Sequence, residues 1–253
     1  IALFFDESRM AGALQMVDET PLRIQTQIFE DDYTWARWRY DGDPEFAKKS
    51  REWVVKLQNG DPEAIRLWKG VVRASLAECQ QLYVRLNTTV TAEDAKGESA
   101  YNAMLLTVVE DLKLTGLAKE SDGAVCVFPD GFKNKEGEPL PFIIQKSDGA
   151  YLYATTDLAA LRYRVNELKA NAIIYVTDAR QRLHFEMLFA VARMAGWVND
   201  KIELTHVMFG SVLGEDGSPL KTRSGINVKL KDLLDEAVER AKKIVEEKNP
   251  ELS

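Results

Sequence analysis

In the first half of the chain, hydrophobic positions recur every three to four residues, the spacing that places them on one face of an α-helix. Two helix starts are marked by the pairs Asp43-Pro44 and Asp61-Pro62. An aspartate side chain can cap free N–H groups, and proline suits the first turn of a helix. A further helical pattern follows Gly97-Glu98-Ser99. We therefore predict that residues 30–118 are mainly helical, and residues 1–29 stay unassigned.

From residue 119 onward, the apolar residues form short continuous runs bounded by turn residues, a pattern typical of strands. Strands are predicted at Ala124–Phe128, Phe142–Gln145, Tyr151–Tyr153, Ala172–Val176 and Leu204–Phe209. Helical patterns separate the last three runs, with Thr155 or Thr156 as the expected cap of the first helix and Asp178 as that of the second. The order over residues 150–209 predicts a parallel βαβαβ unit, half of a doubly wound nucleotide-binding sheet. We expect residues 141–212 to form one parallel sheet.

The composition is ordinary for a folded domain, with 45% apolar and 29% charged residues. No run of about 18 apolar residues occurs, so no membrane span is expected. The net charge of −7 argues against non-specific nucleic-acid binding through the overall field, but it leaves open a local basic patch for RNA. Two cysteines, Cys79 and Cys126, and two histidines are too scattered for a zinc site. We interpret the cysteines as reduced, buried thiols of an intracellular protein.

Polar side chains follow the ends of several predicted strands, where ligands bind in open parallel sheets. Tyr153 and Asp157 lie four residues apart at a strand-to-helix junction. A carboxylate there suits a guanidinium or ammonium group, and a neighbouring phenol adds a hydrogen bond or a stacking face. The alternative is helix capping by Asp157 with Tyr153 in the core, which is the commoner role of such a pair taken alone.

Gln181 and His184 lie one turn apart at the start of the next predicted helix, so they share a face beside the same sheet edge. The amide can hold a polar edge of a substrate, and the imidazole can contact a base or a phosphate. A solvated helix end is an equally open alternative. His206 lies within a predicted strand, where a satisfied core residue is the commoner role. Phe209-Gly210 permits close approach of a flat ring and weakly indicates base binding.

A glycine-rich polar segment, residues 210–228, follows the last predicted strand. Within it, Lys221, Thr222 and Arg223 place two cations and a hydroxyl side by side. Such a group can follow a triphosphate through charge-assisted hydrogen bonds. The segment contains no Gly-x-x-x-x-Gly-Lys-Ser/Thr motif, and an ordinary basic surface turn is the alternative. The spacing of apolar residues over positions 230–245 then predicts an amphipathic helix.

Taken together, these motifs resemble the catalytic body of the class I arginyl-tRNA synthetases of bacterial type. The resemblance runs from about residue 30 to the end of the chain. It is carried by Gly97–Asn102, Phe132–Pro139, Tyr151–Asp157, His206–Gly210 and Leu220–Gly225. The last of these segments is similar to the family's variant of the class I KMSKS loop.

The resemblance implies an α/β fold, namely the second half of a class I synthetase Rossmann-like nucleotide-binding fold with a largely helical N-terminal insertion. Residues 30–123 would form the mainly helical insertion or connective region. Residues 124–212 would form the Rossmann-like catalytic half. Residues 213–253 would form the KMSKS-like loop and the helix that follows it, and residues 1–29 stay unassigned.

The resemblance also implies a role for each candidate residue. The arginine pocket would be lined by Tyr153, Asp157 and Gln181, with Asp157 facing the guanidinium. The residues near the adenosine of ATP would be His184, His206, Phe209, Gly210 and Val212. The mobile phosphate loop would contribute the catalytic residues Lys221, Thr222 and Arg223.

The implied reaction joins arginine and ATP into arginyl-adenylate and pyrophosphate, and then passes the arginyl group to the terminal adenosine of the tRNA. Catalysis would rest on positioning and charge stabilisation, because the substrate carboxylate itself attacks the α-phosphate. The expected partners are arginine, ATP and an arginine tRNA, with no membrane. ATP would be a substrate accompanied by Mg²⁺, no protein-bound structural metal is expected, and the expected location is the cytoplasm.

Two departures from the family pattern shape what we expect of this chain. The class I His-x-Gly-His motif is missing, because the two histidines, His184 and His206, are far apart. The family also continues beyond the position of Ser253 into a helical anticodon-binding domain. We therefore expect a fragment that is inactive alone, from an arginine–tRNA ligase.

Two other functions compete with this one. The first is a catalytically dead synthetase paralogue that acts as a nucleotide- or partner-binding module, which the missing histidine motif favours and the retained Tyr153, Asp157 and loop cations disfavour. The second is a generic nucleotide-dependent enzyme such as a dehydrogenase. The sequence has no Gly-x-Gly-x-x-Gly after a strand, which disfavours the dehydrogenase.

Overall fold

A computed structural model describes residues 33–210 and 230–249 of the chain. Contacts between residues divide this part of the chain into two units. Residues 33–95 and 230–249 belong to the first unit, and residues 96–210 belong to the second.

The first unit consists of helices and short connections in its described residues. Its elements are α1 (33–42), α2 (Pro44–Gln58), α3 (Pro62–Arg85), a 3₁₀ turn (Ala92–Asp94) and, later in the chain, α7 (Leu230–Lys248). The Asp43 carboxylate caps α2 by accepting from two backbone N–H groups at 3.1 Å each, and Asp61 caps α3 in the same way at 3.0 Å. The helix starts predicted from the two Asp-Pro pairs are confirmed.

The second unit opens with a 3₁₀ turn (Glu98–Tyr101) and α4 (Asn102–Leu114). An antiparallel sheet of three strands follows, β1 (Ala118–Ser121), β2 (Ala124–Val127) and β3 (Phe142–Gln145), in the order β1-β2-β3. Strand β1 was not predicted from the sequence. It pairs with β2 through a tight turn at Asp122-Gly123, where both residues have positive φ, 50° and 76°. This is the backbone that a two-residue hairpin turn requires. The hairpin therefore crosses the boundary predicted from the sequence after residue 123, between the helical insertion and the Rossmann-like half.

The rest of the second unit alternates helix and strand: α5 (Tyr153–Asn166), β4 (Ala172–Asp178), a 3₁₀ turn (Ala179–Gln181), α6 (Arg182–Met194) and β5 (Glu203–Phe209). Strands β4 and β5 pair in parallel over their whole length, from Ala172 beside Glu203 to Asp178 beside Phe209. The predicted parallel pairing of these two strands is confirmed, and α6 connects them.

The prediction of one parallel sheet over residues 141–212 was wrong for its first part. Tyr151–Tyr153 is not a strand: Tyr151 makes one isolated antiparallel bridge to Gln145, and Tyr153 already begins α5. A tight turn, with a hydrogen bond from Lys146 N to Ala150 O, folds this segment back onto β3. Because β3 itself pairs antiparallel with β2, the described parallel sheet has two strands.

The expected capping of α5 by a threonine was also wrong. The residue that caps α5 is Leu152, which contributes no side-chain hydrogen bond. The buried Thr155 hydroxyl instead donates to the carbonyl of Ile144 in β3. The expected capping of α6 by Asp178 was wrong as well. Asp178 Oδ1 accepts from Arg180 N at 2.8 Å and so caps the 3₁₀ turn, whereas the residue that caps α6 is Gln181, which contributes no side-chain hydrogen bond.

The core of the second unit lies where α4, α5 and α6 meet the two sheets. It is built from apolar residues of all these elements, among them Leu105, Val108, Leu112, Val127, Ile144, Leu158, Leu161, Ile173, Leu188 and Val191. Arg162 of α5 pairs with Asp111 of α4 at 2.8 Å at its edge. On β4, Ile173 and Tyr175 face this core, while Ile174 and Val176 are 60% and 62% exposed.

Both cysteines are free thiols. Cys126 is buried in β2, and Cys79 is half-buried in α3. Burial raises the pKa of the Cys126 thiol, with a smaller contribution from the charge of Asp122. Across residues 33–210 and 230–249, no helix is long and apolar enough to cross a membrane.

Candidate functional site

The candidate site is built from the first turns of two neighbouring helices, α5 and α6. Helix α5 begins directly after the turn that follows β3, and α6 begins after β4 and the short 3₁₀ turn. The first helix presents Tyr153 and Asp157, and the second presents His184 and Phe185. Residues far apart in sequence thus meet because β4 connects the two helices and both pack in the same core.

The central contact joins Asp157 and His184. The Nε2 atom of His184 lies 2.7 Å from Oδ2 of Asp157. Because an ionised carboxylate can only accept, Nε2 is the atom that carries the hydrogen. The His184 side chain is 12% exposed and that of Asp157 is 33% exposed, so the carboxylate is the more open of the two.

The position of Asp157 bears on the helix-capping alternative. Asp157 is the fifth residue of α5, one turn past Leu152, the residue that caps the helix. A cap accepts from N–H groups two or three residues after itself at the helix start, which Asp157 does not do. Its described hydrogen bond goes to His184 instead. The carboxylate is therefore held by a side chain of another helix, and capping does not explain it.

Aromatic rings surround the imidazole of His184. The ring of Tyr153 lies 4.9 Å away, that of Phe185 5.1 Å, and that of Phe142 5.7 Å in a stacked arrangement, as measured between ring centroids. Tyr153 itself is 62% exposed, so the alternative that places it in the core is wrong. The rings leave the imidazole little freedom to turn away from Asp157.

His206 belongs to the same aromatic cluster. Its ring centroid lies 4.6 Å from that of Phe185, and its Nε2 atom lies 2.7 Å from Oγ1 of Thr177 on the neighbouring strand. It is half-buried and hydrogen-bonded, as a satisfied histidine would be. Phe185 therefore contacts both histidines of the chain.

Three contributors were missed by the sequence reasoning: Phe142, Thr177 and Phe185. Phe185 directly follows His184, and Thr177 directly precedes Asp178 at the end of β4, so both stood beside residues already singled out. Phe142 gave no such signal, because it reaches the site from a different sheet.

Other candidate residues lie at the sheet edge without touching Asp157. Gln181 ends the 3₁₀ turn just before α6, and Phe209 ends β5 beside Asp178. Gln181, Phe209 and Gly210 are exposed, and in the described part of the chain no hydrogen bond or ring contact joins them to Asp157. The candidates Val212, Lys221, Thr222 and Arg223 lie outside the described residues.

The arginines close to this edge carry acidic partners of their own. Arg180 makes two hydrogen bonds to the Asp178 carboxylate, at 2.8 and 3.0 Å, and these raise the pKa of Arg180. Arg182 pairs with Glu186 at 2.7 Å, with the same direction of pKa shift. Both remain on the surface. Each arginine is thus paired with its own acid, and neither donates a described hydrogen bond to the Asp157 carboxylate, which His184 contacts.

Tyr175, on β4, packs against the buried side of the aromatic cluster. Its ring packs against Phe185 at 4.7 Å, and its hydroxyl accepts a hydrogen bond from Arg164 at 3.1 Å. Burial raises the pKa of Tyr175 despite the nearby Arg164 charge. The phenol therefore stays neutral at ordinary pH and adds no charge to the site.

This arrangement suits a planar cation. Asp157 offers a second oxygen, Oδ1, for which the described residues provide no hydrogen-bond donor, and the exposed ring of Tyr153 lies 4.9 Å from the imidazole that holds the carboxylate. A carboxylate accepts a guanidinium in a two-pronged contact, and an aromatic ring can stack on the same group. Within residues 33–210 and 230–249, no cluster of three or more His, Cys, Asp or Glu residues could hold a metal ion.

Comparison with known families gives one match that spans nearly the whole chain. Residues 11–253 match the model described as tRNA synthetases class I (R), catalytic domain. The matched region contains both units of the structure and all the candidate residues.

Curated relatives agree with this match. The chain is 55% identical over 233 residues to an arginine–tRNA ligase of Psychromonas ingrahamii, which covers 92% of this chain and 40% of the relative. It is 52% identical over 241 residues to an arginine–tRNA ligase of Stutzerimonas stutzeri, covering 94% of this chain and 42% of the relative. The chain thus spans about two fifths of the length of these relatives.

Among solved structures, the chain resembles an arginyl-tRNA synthetase from Plasmodium falciparum. The TM-score is 0.69 at 29% sequence identity, and the match covers 97% of this chain and 39% of that one. The α/β fold class expected from the sequence is confirmed by the family match together with this structural similarity.

Proposed function

This chain belongs to the family of class I arginyl-tRNA synthetase catalytic domains, and on that premise we propose that it supplies the arginine-recognising part of an arginine–tRNA ligase. In the proposed reaction the carboxylate of arginine attacks the α-phosphate of ATP and pyrophosphate leaves. The resulting arginyl-adenylate then passes its arginyl group to the terminal adenosine of a tRNA. The proposed location of this reaction is the cytoplasm.

The observation that supports this function best is the environment of Asp157. Its carboxylate is partly open and is hydrogen-bonded to the more buried His184, and the exposed ring of Tyr153 contacts that imidazole. A hydrogen bond to a charged partner contributes about 1.5–3 kcal/mol. Asp157 would thus contribute both charge and geometry toward the guanidinium of arginine, and Tyr153 and Gln181 would complete the pocket.

The other assignments are also part of this proposal. His206, Phe209, Gly210 and Val212 would contact the adenosine of ATP. The resemblance gives His184 the same place, but its contact with Asp157 supports a different role. Lys221, Thr222 and Arg223 would neutralise charge on the phosphates during transfer. ATP would enter as its Mg²⁺ complex, a form in which the phosphates supply many of the oxygen ligands of the metal. An arginine tRNA would be the second substrate.

The test is a substitution in a complete enzyme, made by placing this chain in the matching segment of the Psychromonas ingrahamii ligase. Asp157→Asn removes the charge but keeps the shape of the side chain. We expect kcat/KM for arginine to fall about 10- to 100-fold, while the KM for ATP stays within about twofold. Arginine-dependent ATP–pyrophosphate exchange with tRNA present is the measurement.

The matched control is Asp200→Asn, which removes an exposed carboxylate of the same unit that lies just before β5, at the end of that strand opposite to Phe209. It should leave both kinetic constants unchanged. An Asp157→Asn enzyme with unaltered use of arginine would contradict the proposed recognition. A chimera that binds ATP but gives no exchange with any amino acid would favour the catalytically dead module.

A further inference from the structure

We propose that His184 is a positioning residue for arginine recognition, acting through Asp157 rather than through ATP. This inference rests on the proposed function and refines it. The family resemblance implies a place for His184 near the adenosine of ATP. In the structure its Nε2 atom is instead used by the Asp157 carboxylate at 2.7 Å.

The order of exposure indicates which partner meets the substrate. His184 is the more buried of the two side chains, at 12% against 33% for Asp157. The imidazole therefore lies behind the carboxylate, and the carboxylate faces the open side. A substrate cation would reach Asp157 first, at the oxygen that His184 leaves unused.

The rings around His184 give it a fixed orientation. Phe142 stacks on the imidazole with an interplanar angle of 27°, and Phe185 meets it edge-on at 74°. With the ring held from two sides, the Nε2–H group points at Oδ2 of Asp157 and one carboxylate rotamer is favoured. A binding group that is held in place before the ligand arrives loses less conformational freedom on binding.

The charge pattern agrees with this role. The nearby arginines, Arg180 and Arg182, are each paired with their own acid. In the described part of the chain, the hydrogen-bond donor that reaches Asp157 is His184. Arg164 donates to Tyr175, behind the cluster. Loss of the imidazole N–H should therefore free the carboxylate to turn.

Two variants distinguish a positioning role of His184 from a packing role, because each keeps one property of the imidazole, its N–H donor or its ring, and removes the other. His184→Gln keeps an N–H donor at a similar reach but removes the ring. His184→Phe keeps a ring for Phe142 and Phe185 but removes the donor. Both are made in the chimeric ligase and assayed by arginine-dependent exchange, with arginine and ATP varied separately.

If His184 positions Asp157, the Phe variant should lose about 10- to 100-fold in kcat/KM for arginine, and the Gln variant should recover most of that loss. The KM for ATP should stay within about twofold in both. The reverse order, with Phe active and Gln impaired, would show that only packing matters and would overturn the proposal. A selective rise in the KM for ATP would overturn it in favour of adenosine contact.

A second measurement uses the 253-residue chain itself and needs no activity. Long-range ¹H–¹⁵N spectra of the His184 ring, assigned with the His184→Gln variant, report which ring nitrogen carries the hydrogen. We expect protonated Nε2, with a shift of its resonance in Asp157→Asn. An unprotonated Nε2 would overturn the proposal. If the hydrogen bond is found but the unsubstituted chimera uses no arginine, the proposed function fails while the contact stands.

Discussion

At the scale of single residues, one buried hydroxyl fixes the start of the helix that carries Asp157. Thr155 is fully buried, and its hydroxyl donates to the backbone carbonyl of Ile144 on β3. This bond ties the first turn of α5 to a strand of the antiparallel sheet. A buried carbonyl that loses its donor keeps its desolvation cost without compensation. The placement of Tyr153 and Asp157 therefore depends on a side chain that takes no part in binding.

We expect Thr155→Val to lower the free energy of unfolding by about 1–3 kcal/mol, because the isosteric valine leaves the Ile144 carbonyl without its donor. The measurement is urea unfolding followed by circular dichroism. Thr115→Val is the control, since the Thr115 hydroxyl also donates to backbone carbonyls but at an exposed site where water can replace it. Equal losses in the two variants would contradict the importance of burial.

At the scale of elements, β4 shows how packing gives the two faces of one strand different roles. Its residues alternate, so that Ile173 and Tyr175 face the core while Ile174 and Val176 face outward. Helix α6 covers the inner face through Phe185 and Phe189, whose rings contact Tyr175. This packing fixes where α6 lies along the length of β4, and it therefore fixes the position of His184 as well.

Two adjacent isoleucines test this arrangement. Ile173→Ala should cost about 2–5 kcal/mol of unfolding free energy, the range for deleting a buried branched side chain. Ile174→Ala should cost less than about 1 kcal/mol, because its side chain is 60% exposed and contributes mainly strand preference. Thermal and urea unfolding of the 253-residue chain provide the comparison. A larger loss for Ile174→Ala would show that the faces are assigned the wrong way round.

At the scale of the whole molecule, the proposed chemistry is distributed over groups that act on one transition state. Asp157 and its neighbours would orient arginine, and Lys221 and Arg223 would meet the phosphates. The sequence has two histidines and no His-x-Gly-His motif. Groups that act together on one transition state are strongly non-additive, so the loss of one group removes most of the rate.

The 253-residue chain, purified free of host synthetase, is therefore expected to form no arginyl-adenylate, even with saturating tRNA. Arginine-dependent ATP–pyrophosphate exchange is the measurement, with the chimeric ligase assayed in parallel as the positive control. Exchange by the chain alone would show that the histidine motif is dispensable and that the catalytic groups lie elsewhere in these residues.

The sequence by itself determined the features that depend on near neighbours. The caps of α2 and α3 form between Asp43 or Asp61 and N–H groups two and three residues later, so the Asp-Pro pairs were sufficient to predict them. The apolar runs of β4 and β5 predicted their parallel pairing because a helical pattern lies between them. The five segments that carry the family resemblance, taken together, were sufficient for the family, because each is a local string of residues.

Tertiary structure alone decided the features that depend on distant partners. Strand β1 has the polar sequence Ala-Lys-Glu-Ser, and it is a strand because the turn at Asp122-Gly123 pairs it with β2. Tyr151–Tyr153 has strand-like residues, yet it bends back onto β3 and starts a helix. Strand preference is weak beside such pairing and packing.

The contact between Asp157 and His184 is the clearest case. Each residue could be singled out from its place after a predicted strand, but their pairing could not. It requires α5 and α6 to lie side by side and Phe142 to arrive from another sheet. Sequence spacing fixes which face of a helix a residue occupies, whereas the neighbour it meets there is set by the packing of whole elements.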